Sequence, residues 1–366
     1  MSRLKHSRWC AAMTIIVAGI LLLSGYGGWL APSQFGTIPA LMVLAYPIVA
    51  ILSTLLCIVW IVRRQWQLAI MTTLALFATW PSLSCNFPVN IHHAEVDSTK
   101  IFKVMSYNVA AFSDSLWTDT THLHPAMQLV LDENADFVIL IQPDTRGLGY
   151  DEFKSIAPWL SEIEAHYPYR TRSRYDGVEL LSKHPFTCHP LARAEHSYRY
   201  FPYVIKSTNR YAFDIQLPDH RQLRIIGAYM ASFQLDDDQR RVLDSAIYNV
   251  NVPERLYRKM EHAFTTREHQ SKNLRDSLDA SPANVILCTD LNDVPQSYAY
   301  RTIMGDDLLD SFREGYTGYL STFNDHRMLF HIDHILYRGA LSATSFKCHR
   351  MPHSDHYPIV ATFEWR

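Results

Sequence analysis

Charge is nearly absent from the N-terminal part of this chain. After Arg3, Lys5 and Arg8 no charged residue occurs until Arg63 and Arg64, and none again until Glu95. An ordinary solvated surface is excluded there, since about a quarter of the residues in a soluble domain are charged. Paired cysteines are missing too. The six cysteines show no Cys-x-x-Cys or paired spacing, so neither a zinc site nor a disulfide framework is indicated. No internal repeat or low-complexity tract is present, which sets aside repeat architectures. An excess of one sign of charge is lacking as well: 34 basic against 36 acidic residues leave a formal net charge of -2, which points to no class of partner.

The uncharged segments are long apolar runs. Residues 9–30 and 38–62 each hold about 20 or more apolar residues, enough to cross a hydrocarbon core of roughly 30 Å as helix. A third run, Trp66 to Trp80, contains Thr72, Thr73 and Thr79 and spans only if it extends to about residue 84. Residues 1–94 are therefore expected to anchor the chain in a lipid bilayer through about three transmembrane helices. A cleaved signal peptide is the rival reading of the first run. Yet no small-residue cleavage pattern leads into polar sequence; another apolar run follows instead. Lysine and arginine favour the cytoplasmic side, which puts the N-terminus and the Arg63-Arg64 turn inside and everything after about residue 95 outside. Pro81, Pro88 and the run "NIHHAEVDSTK" read as linker, ending with residues 95–100.

Residues 101–366 read as one α/β domain. Short runs rich in β-branched and aromatic residues, among them "IFKVMSYNV", "DFVILIQ", "GVELLS", "LRIIGAYM", "NVILCTDL", "HIDHILY" and "YPIVATFEW", predict strands. Several are apolar on both faces, as doubly covered strands are. Helical stretches lie between them, notably "HPAMQLVLDENA" and a polar segment from about Asp236 to Leu278 broken at Pro253.

Polar residues gather where these strands stop. Asn108 ends one, Asp290 and Asn292 end another, Asp333 sits between the isoleucines Ile332 and Ile335, and Asp355 and His356 precede the last strand. Buried carboxylates cost several kcal/mol unless paired or bound to a cation, so three of them beside a histidine share one explanation. Asp290 and Asn292, two residues apart, would point to one side of a strand. Converging with Asp333, Asp355 and His356, they would make a metal-assisted hydrolytic site: hard oxygen ligands for Mg²⁺ or Mn²⁺, with a histidine for proton transfer or phosphate binding.

These segments resemble, in order, the motifs of the endonuclease/exonuclease/phosphatase superfamily, the deoxyribonuclease I-like enzymes. "VMSYNV" is similar to its first strand, "ADFVILIQ" to the strand ending in Gln-Glu, and "GVELLSKHPF" to its Ser-Arg-x-Pro segment. "CTDLNDVPQSYAY" resembles Gly-Asp-Phe-Asn, "STF" with "FHIDHIL" its Thr-Tyr and Ile-Asp elements, and "HSDHYPIV" its Ser-Asp-His-Pro element. Joined to the apolar spans, the pattern resembles a membrane-anchored bacterial subgroup. The resemblance implies a four-layer α/β sandwich of two mixed β-sheets flanked by helices. It implies an inner-membrane address with the domain on the periplasmic side, and a phosphate-ester substrate such as a nucleic acid, phospholipid or small phosphoester. By the same resemblance Asp355 binds the metal together with the residue at position 142, and His356, oriented by Asp333, contacts the phosphate. Asp290 acts on the attacking water, and Asn108, Asn292 and Tyr229 hold phosphate oxygens or Asp290 itself.

The chain departs from the pattern in places. Gln142 stands where the family has its metal-binding glutamate, keeping an oxygen ligand but no charge. Gly227 and Tyr229 replace an Asn-x-His pair, Thr289 a glycine and His331 an arginine. An alternative therefore stands beside the hydrolase: a catalytically inactive relative that binds a phosphate ligand or acts as a scaffold. "RTRSRYDG", with Arg170, Arg172 and Arg174, reads either as a strip for a nucleic-acid backbone or as a solvated strand face.

Overall fold

The computed structural model describes residues 2–90, 100–112, 123–143, 160–171, 177–191, 210–233, 235, 254–325 and 328–366. Arg172, Arg174 and the part of the expected helical segment from 236 to 253 lie outside the described residues.

The N-terminal part is helical. Arg8–Trp29 is long and apolar enough to cross a membrane; Thr37–Leu44 with Tyr46–Val62, and Trp66–Ala78 with Trp80–Asn86, qualify only as pairs bent by 61° and 68°. Proline sits in the first turn after each bend, Pro47 and Pro81, where its missing N–H costs no helical bond. Successive rods run antiparallel. Cys10, Cys57, Trp60 and Ala69 pack together at one end, beside the Arg63-Arg64 turn, whereas Leu21, Tyr46, Ala50 and Ala75 pack towards the other.

From residue 101 the strands are β1 Ile101–Asn108, β2 Phe137–Ile141, β3 Tyr169–Arg170, β4 Val178–Ser182, β5 Phe186–Pro190, β6 Arg210–Gln216 and β7 Gln222–Tyr229. They continue as β8 Val285–Asp290, β9 Leu309–Asp310, β10 Phe323–Asp325, β11 Met328–Phe330, β12 Asp333–Arg338, β13 Leu341–Cys348 and β14 Ile359–Trp365. Among the described residues they form two six-stranded mixed sheets, one ordered β13-β14-β1-β2-β4-β3 and the other β5-β6-β7-β8-β12-β9, and a two-stranded ribbon β10-β11. Their inner faces interdigitate: Val104, Ile139, Ile141 and Leu180 of one meet Phe213, Ile225, Ile286 and Ile335 of the other. Helices Pro125–Glu133 and Leu160–His166 cover the outside of the first sheet through Met127, Val130 and Ile163. Helices Glu254–Asp279 and Tyr298–Met304 cover the second through Leu274, Leu278 and Ile303. This is the helix–sheet–sheet–helix sandwich expected from the motif order.

Gly227 lies where the two sheets approach closely, because a Cβ there would collide with Val178 on β4. Absence of a side chain at this position lets β7 and β4 meet.

Glu179 on β4 is buried beside Leu140. Burial pushes its carboxyl up to about 8, against the opposing pull of the Arg170 guanidinium. The folded chain then keeps a proton that the unfolded chain loses near the ordinary value of 4.5. Stability should therefore fall as pH rises between those values. We expect Glu179→Gln to flatten that slope and raise the midpoint of thermal unfolding at pH 8, at about 2–4 °C per kcal/mol recovered. Melting curves of both proteins at pH 5 and pH 8 check this.

Candidate active site

The strands bearing the sequence-predicted residues all open at one rim of the sandwich. β1, β7 and β8 end at Asn108, Tyr229 and Asp290, β2 ends one residue before Gln142, and β12 begins at Asp333. Parallel pairing sets Tyr229 beside Asp290, and antiparallel pairing sets Asp333 on its other side. A row of three polar residues thus crosses the second sheet where its apolar strands stop.

Asp290 has no solvent exposure, and its two oxygens are divided between neighbours. Oδ1 accepts the Asn292 N–H at 2.8 Å, while Oδ2 accepts from Asn108 Nδ2 at 2.9 Å and lies 3.7 Å from His356 Nε2. Burial raises its carboxyl to about 7, although the nearby His356 charge pulls the other way. His356 Nδ1 lies 2.9 Å from Asp333 Oδ2. Burial alone would lower its pKa, but the Asp333 and Asp290 carboxylates push it up to about 10, so the ring keeps both protons at neutral pH. Phe323 packs edge-on against that ring at 5.0 Å.

Asn108 commits its amide to the site. Nδ2 donates to Asp290 and also to Gln142 Oε1 at 3.1 Å, and Oδ1 accepts the Ala110 N–H at 3.0 Å. Both amide hydrogens are thereby used in holding the two neighbours. Gln142 adopts φ 51°. A left-handed backbone costs a non-glycine residue about 1–2 kcal/mol. The hydrogen bond to Asn108 from a residue so turned shows that its amide reaches the site.

Asn292 differs from the strand-alternation expectation. The strand ends at Asp290, and Asn292 turns out of it at φ 49°, donating Nδ2 to the Met230 carbonyl at 3.0 Å. It stays beside the site, where its side chain and that of Ser232 act against the upward shift of the Tyr229 phenol. Burial, then the Asp290 charge, push the Tyr229 phenol pKa upward. Asp355 is partly exposed at the rim, its backbone oxygen accepting the Asn324 N–H at 2.8 Å. Its charge adds to the upward pull on His356.

Two hydroxyls were visible in the motifs without a role. Thr322 Oγ1 accepts the N–H groups of Ile332 and Asp333, each at 3.0 Å, fixing the start of β12. Ser354 Oγ donates to the Asn108 carbonyl at 2.8 Å and accepts the His356 N–H at 3.1 Å, tying β1 to the last strand's approach. His331, in the motif arginine's position, is buried, stacked on His334 at 4.6 Å, and edge-on to Phe312 at 4.3 Å. Burial lowers its pKa to about 3, so it brings no charge to the site.

Asp290, Asp333 and His356 offer ligand atoms within 4.8 Å of one another, a grouping that on distance alone suits a metal ion. Within that grouping both His356 ring nitrogens face carboxylates, Nδ1 towards Asp333 and Nε2 towards Asp290. Oxygen donors stand at the rim instead, the Asp355 carboxylate and the Gln142 amide oxygen. Hard oxygen ligands fit Mg²⁺ or Mn²⁺, although this pair carries a single formal charge.

If the Asp333 carboxylate is what keeps His356 charged, then Asp333→Asn should lower the His356 pKa by more than one unit. Titration of the imidazole by NMR checks this; an unchanged pKa refutes the pairing.

The profile of the endonuclease/exonuclease/phosphatase family matches residues 105–356. A second family, described only as a domain of unknown function, matches residues 7–86. No curated protein matches the chain. Among solved structures, D. rerio TDP2 complexed with a single-strand DNA product is 13% identical with a TM-score of 0.50, over 73% of this chain and 100% of that one. The human Nocturnin catalytic domain with bound sulfate is 16% identical with a TM-score of 0.46, over 76% of this chain and 99% of that one. Bacteroides thetaiotaomicron mannosyl-6-phosphatase is 13% identical with a TM-score of 0.46, over 72% of this chain and 100% of that one. Likeness at these identities concerns the fold.

Proposed function

The chain belongs to the endonuclease/exonuclease/phosphatase family, and on that premise we propose that it is a membrane-tethered, divalent-metal-dependent hydrolase of phosphate esters. The observation that carries the reading is the buried network Asn108–Asp290–His356–Asp333, which joins a base of raised pKa to a histidine held as a cation. Networks that push two titratable groups apart in this way assign a base and an electrostatic partner.

Asp290 takes the proton of the attacking water, its carboxylate aimed by Asn108 and by the Asn292 N–H. His356, charged and fixed by Asp333, stabilises the negative charge that grows on the phosphate oxygens. Tyr229 and Asn292 line the same rim as phosphate donors. Asp355 and Gln142 would hold the cation, which when bound polarises the phosphate and stabilises the leaving oxygen. The uncharged segments 9–30, 38–62 and 66–84 would tether the site to a bacterial inner membrane, with the domain on the periplasmic side.

Purified full-length protein should hydrolyse an activated phosphodiester such as bis(p-nitrophenyl) phosphate with Mn²⁺ or Mg²⁺ and lose that activity in chelator. Asp290→Asn and His356→Ala should each lower kcat by about 10²–10⁴. Gln142→Glu adds the missing charge and should tighten the Mn²⁺ requirement at least tenfold, read from rate against metal concentration. Absence of turnover in the parent, with activity appearing only in Gln142→Glu, would overturn the hydrolase reading in favour of a binding or scaffolding relative.

A further inference from the structure

Resting on the hydrolase reading above, we propose that the substrate is a phosphate ester carried by a bilayer lipid and taken at the membrane surface. The N-terminal helices and the candidate active site share one rim of the sandwich. Between the first two rods the chain forms an elbow, residues 27–45, that docks on the two segments bearing catalytic residues. Val43 packs with Val294, four residues beyond Asp290, and with Ile332, next to Asp333. Half-buried Phe323 and Phe330 complete that cluster, and Phe323 is the ring set against His356. Phe323 thus belongs both to the cluster beneath the elbow and to the packing around the catalytic imidazole.

Polar contacts pin the same junction. Asn86 Nδ2 donates to Gln296 Oε1 at 2.7 Å, Gln296 Nε2 donates to the Val43 carbonyl at 3.3 Å, and Ser33 donates both N–H and Oγ–H to the buried Glu268 carboxylate at 2.9 and 2.8 Å. Gly28 lies so close to the Gln296 carbonyl that any Cβ would collide with it.

The elbow's free face suits the interfacial layer. Trp29, Phe35 and Ile38 are exposed, and the Arg301 guanidinium lies 4.3 Å over the Trp29 ring. Aromatic residues with adjacent cations favour the headgroup level. That layer is roughly 5–8 Å deep on each side of the hydrocarbon, and the elbow packs on Val294 and Ile332, the segments that follow Asp290 and precede Asp333. A soluble nucleic-acid backbone finds less support, since Arg170 of the basic strip is already paired with Glu164 at 2.6 Å. In the reaction a water oxygen bonds to phosphorus as one P–O ester bond breaks; the proton that Asp290 takes from that water passes through solvent to the leaving oxygen, giving a lipid or headgroup alcohol and a phosphate or phosphate monoester.

Full-length protein in vesicles of phosphatidylethanolamine, phosphatidylglycerol and phosphatidic acid, with Mn²⁺, tests this by ³¹P NMR of the lipid phosphorus. Bis(p-nitrophenyl) phosphate and a single-stranded oligodeoxynucleotide are assayed alongside. We expect lipid turnover at least tenfold above either soluble ester. Gly28→Ala, a wedge in the docked junction, should lower the ratio of lipid to soluble turnover about tenfold while the soluble rate holds. Ser33→Ala serves the same purpose if the first variant does not fold. Hydrolysis of the soluble ester or the oligonucleotide with vesicle lipid untouched, or an unchanged ratio in the folded variant, overturns the lipid inference and leaves the hydrolase reading standing. Turnover of none of the three overturns both.

Discussion

A single side-chain amide joins the two sheets where their chemistry lies. Asn108 ends β1 in the first sheet, and its nitrogen donates to Asp290 at the end of β8 in the second. An unpaired carboxylate at full burial is expensive, and one charge-assisted hydrogen bond offsets a fraction of that cost. Asp290 consequently depends on its neighbours: Asn108 from one sheet, the Asn292 N–H from its own loop and the His356 cation from the approach to β14. Each of them is fixed in turn. Ser354 holds the Asn108 carbonyl and the His356 N–H, and Thr322 holds the start of β12, whose Asp333 orients His356. The position of one carboxylate thus fixes the register of several loops.

The fold was legible where strands are buried on both faces. "DFVILIQ" and "NVILCTD" became β2 and β8, which are buried at every position, and the long apolar runs became helices. Edge strands were not legible. β13, "LSATSFKC", and β5, "FTCHP", are half exposed and mix polar with apolar residues without clear alternation, so no pattern sets them apart from loop. The bends between the paired apolar helices were likewise hidden, since hydropathy reports length and composition, whereas direction is decided by Pro47 and Pro81 and by what each rod packs against.

The candidate site was read as a set of residue types at strand ends, and the structure gathers Asn108, Gln142, Asp290, Asn292, Tyr229, Asp333 and His356 at one rim. Side-chain direction was less legible than position. Alternation along a strand assumes that the strand continues, and both Gln142 and Asn292 leave it in the left-handed conformation. Neither is a glycine, so no residue type announced the turn. The roles of Thr322 and Ser354 were hidden for a different reason: a hydroxyl bonding to backbone is common everywhere, and only the tertiary path shows which backbone it holds.

The docked elbow also bears on how the molecule is assembled in time. Val294, Ile332, Leu256, Met260 and Phe264 are covered by side chains from residues 40–44, and Asn90 binds the Arg313 and Tyr316 carbonyls. These surfaces belong to the last-synthesised third of the chain, and their covers are made first. The later layer therefore finds part of its apolar cover in chain that is synthesised before it, and a fragment beginning after these helices would leave those residues open to water.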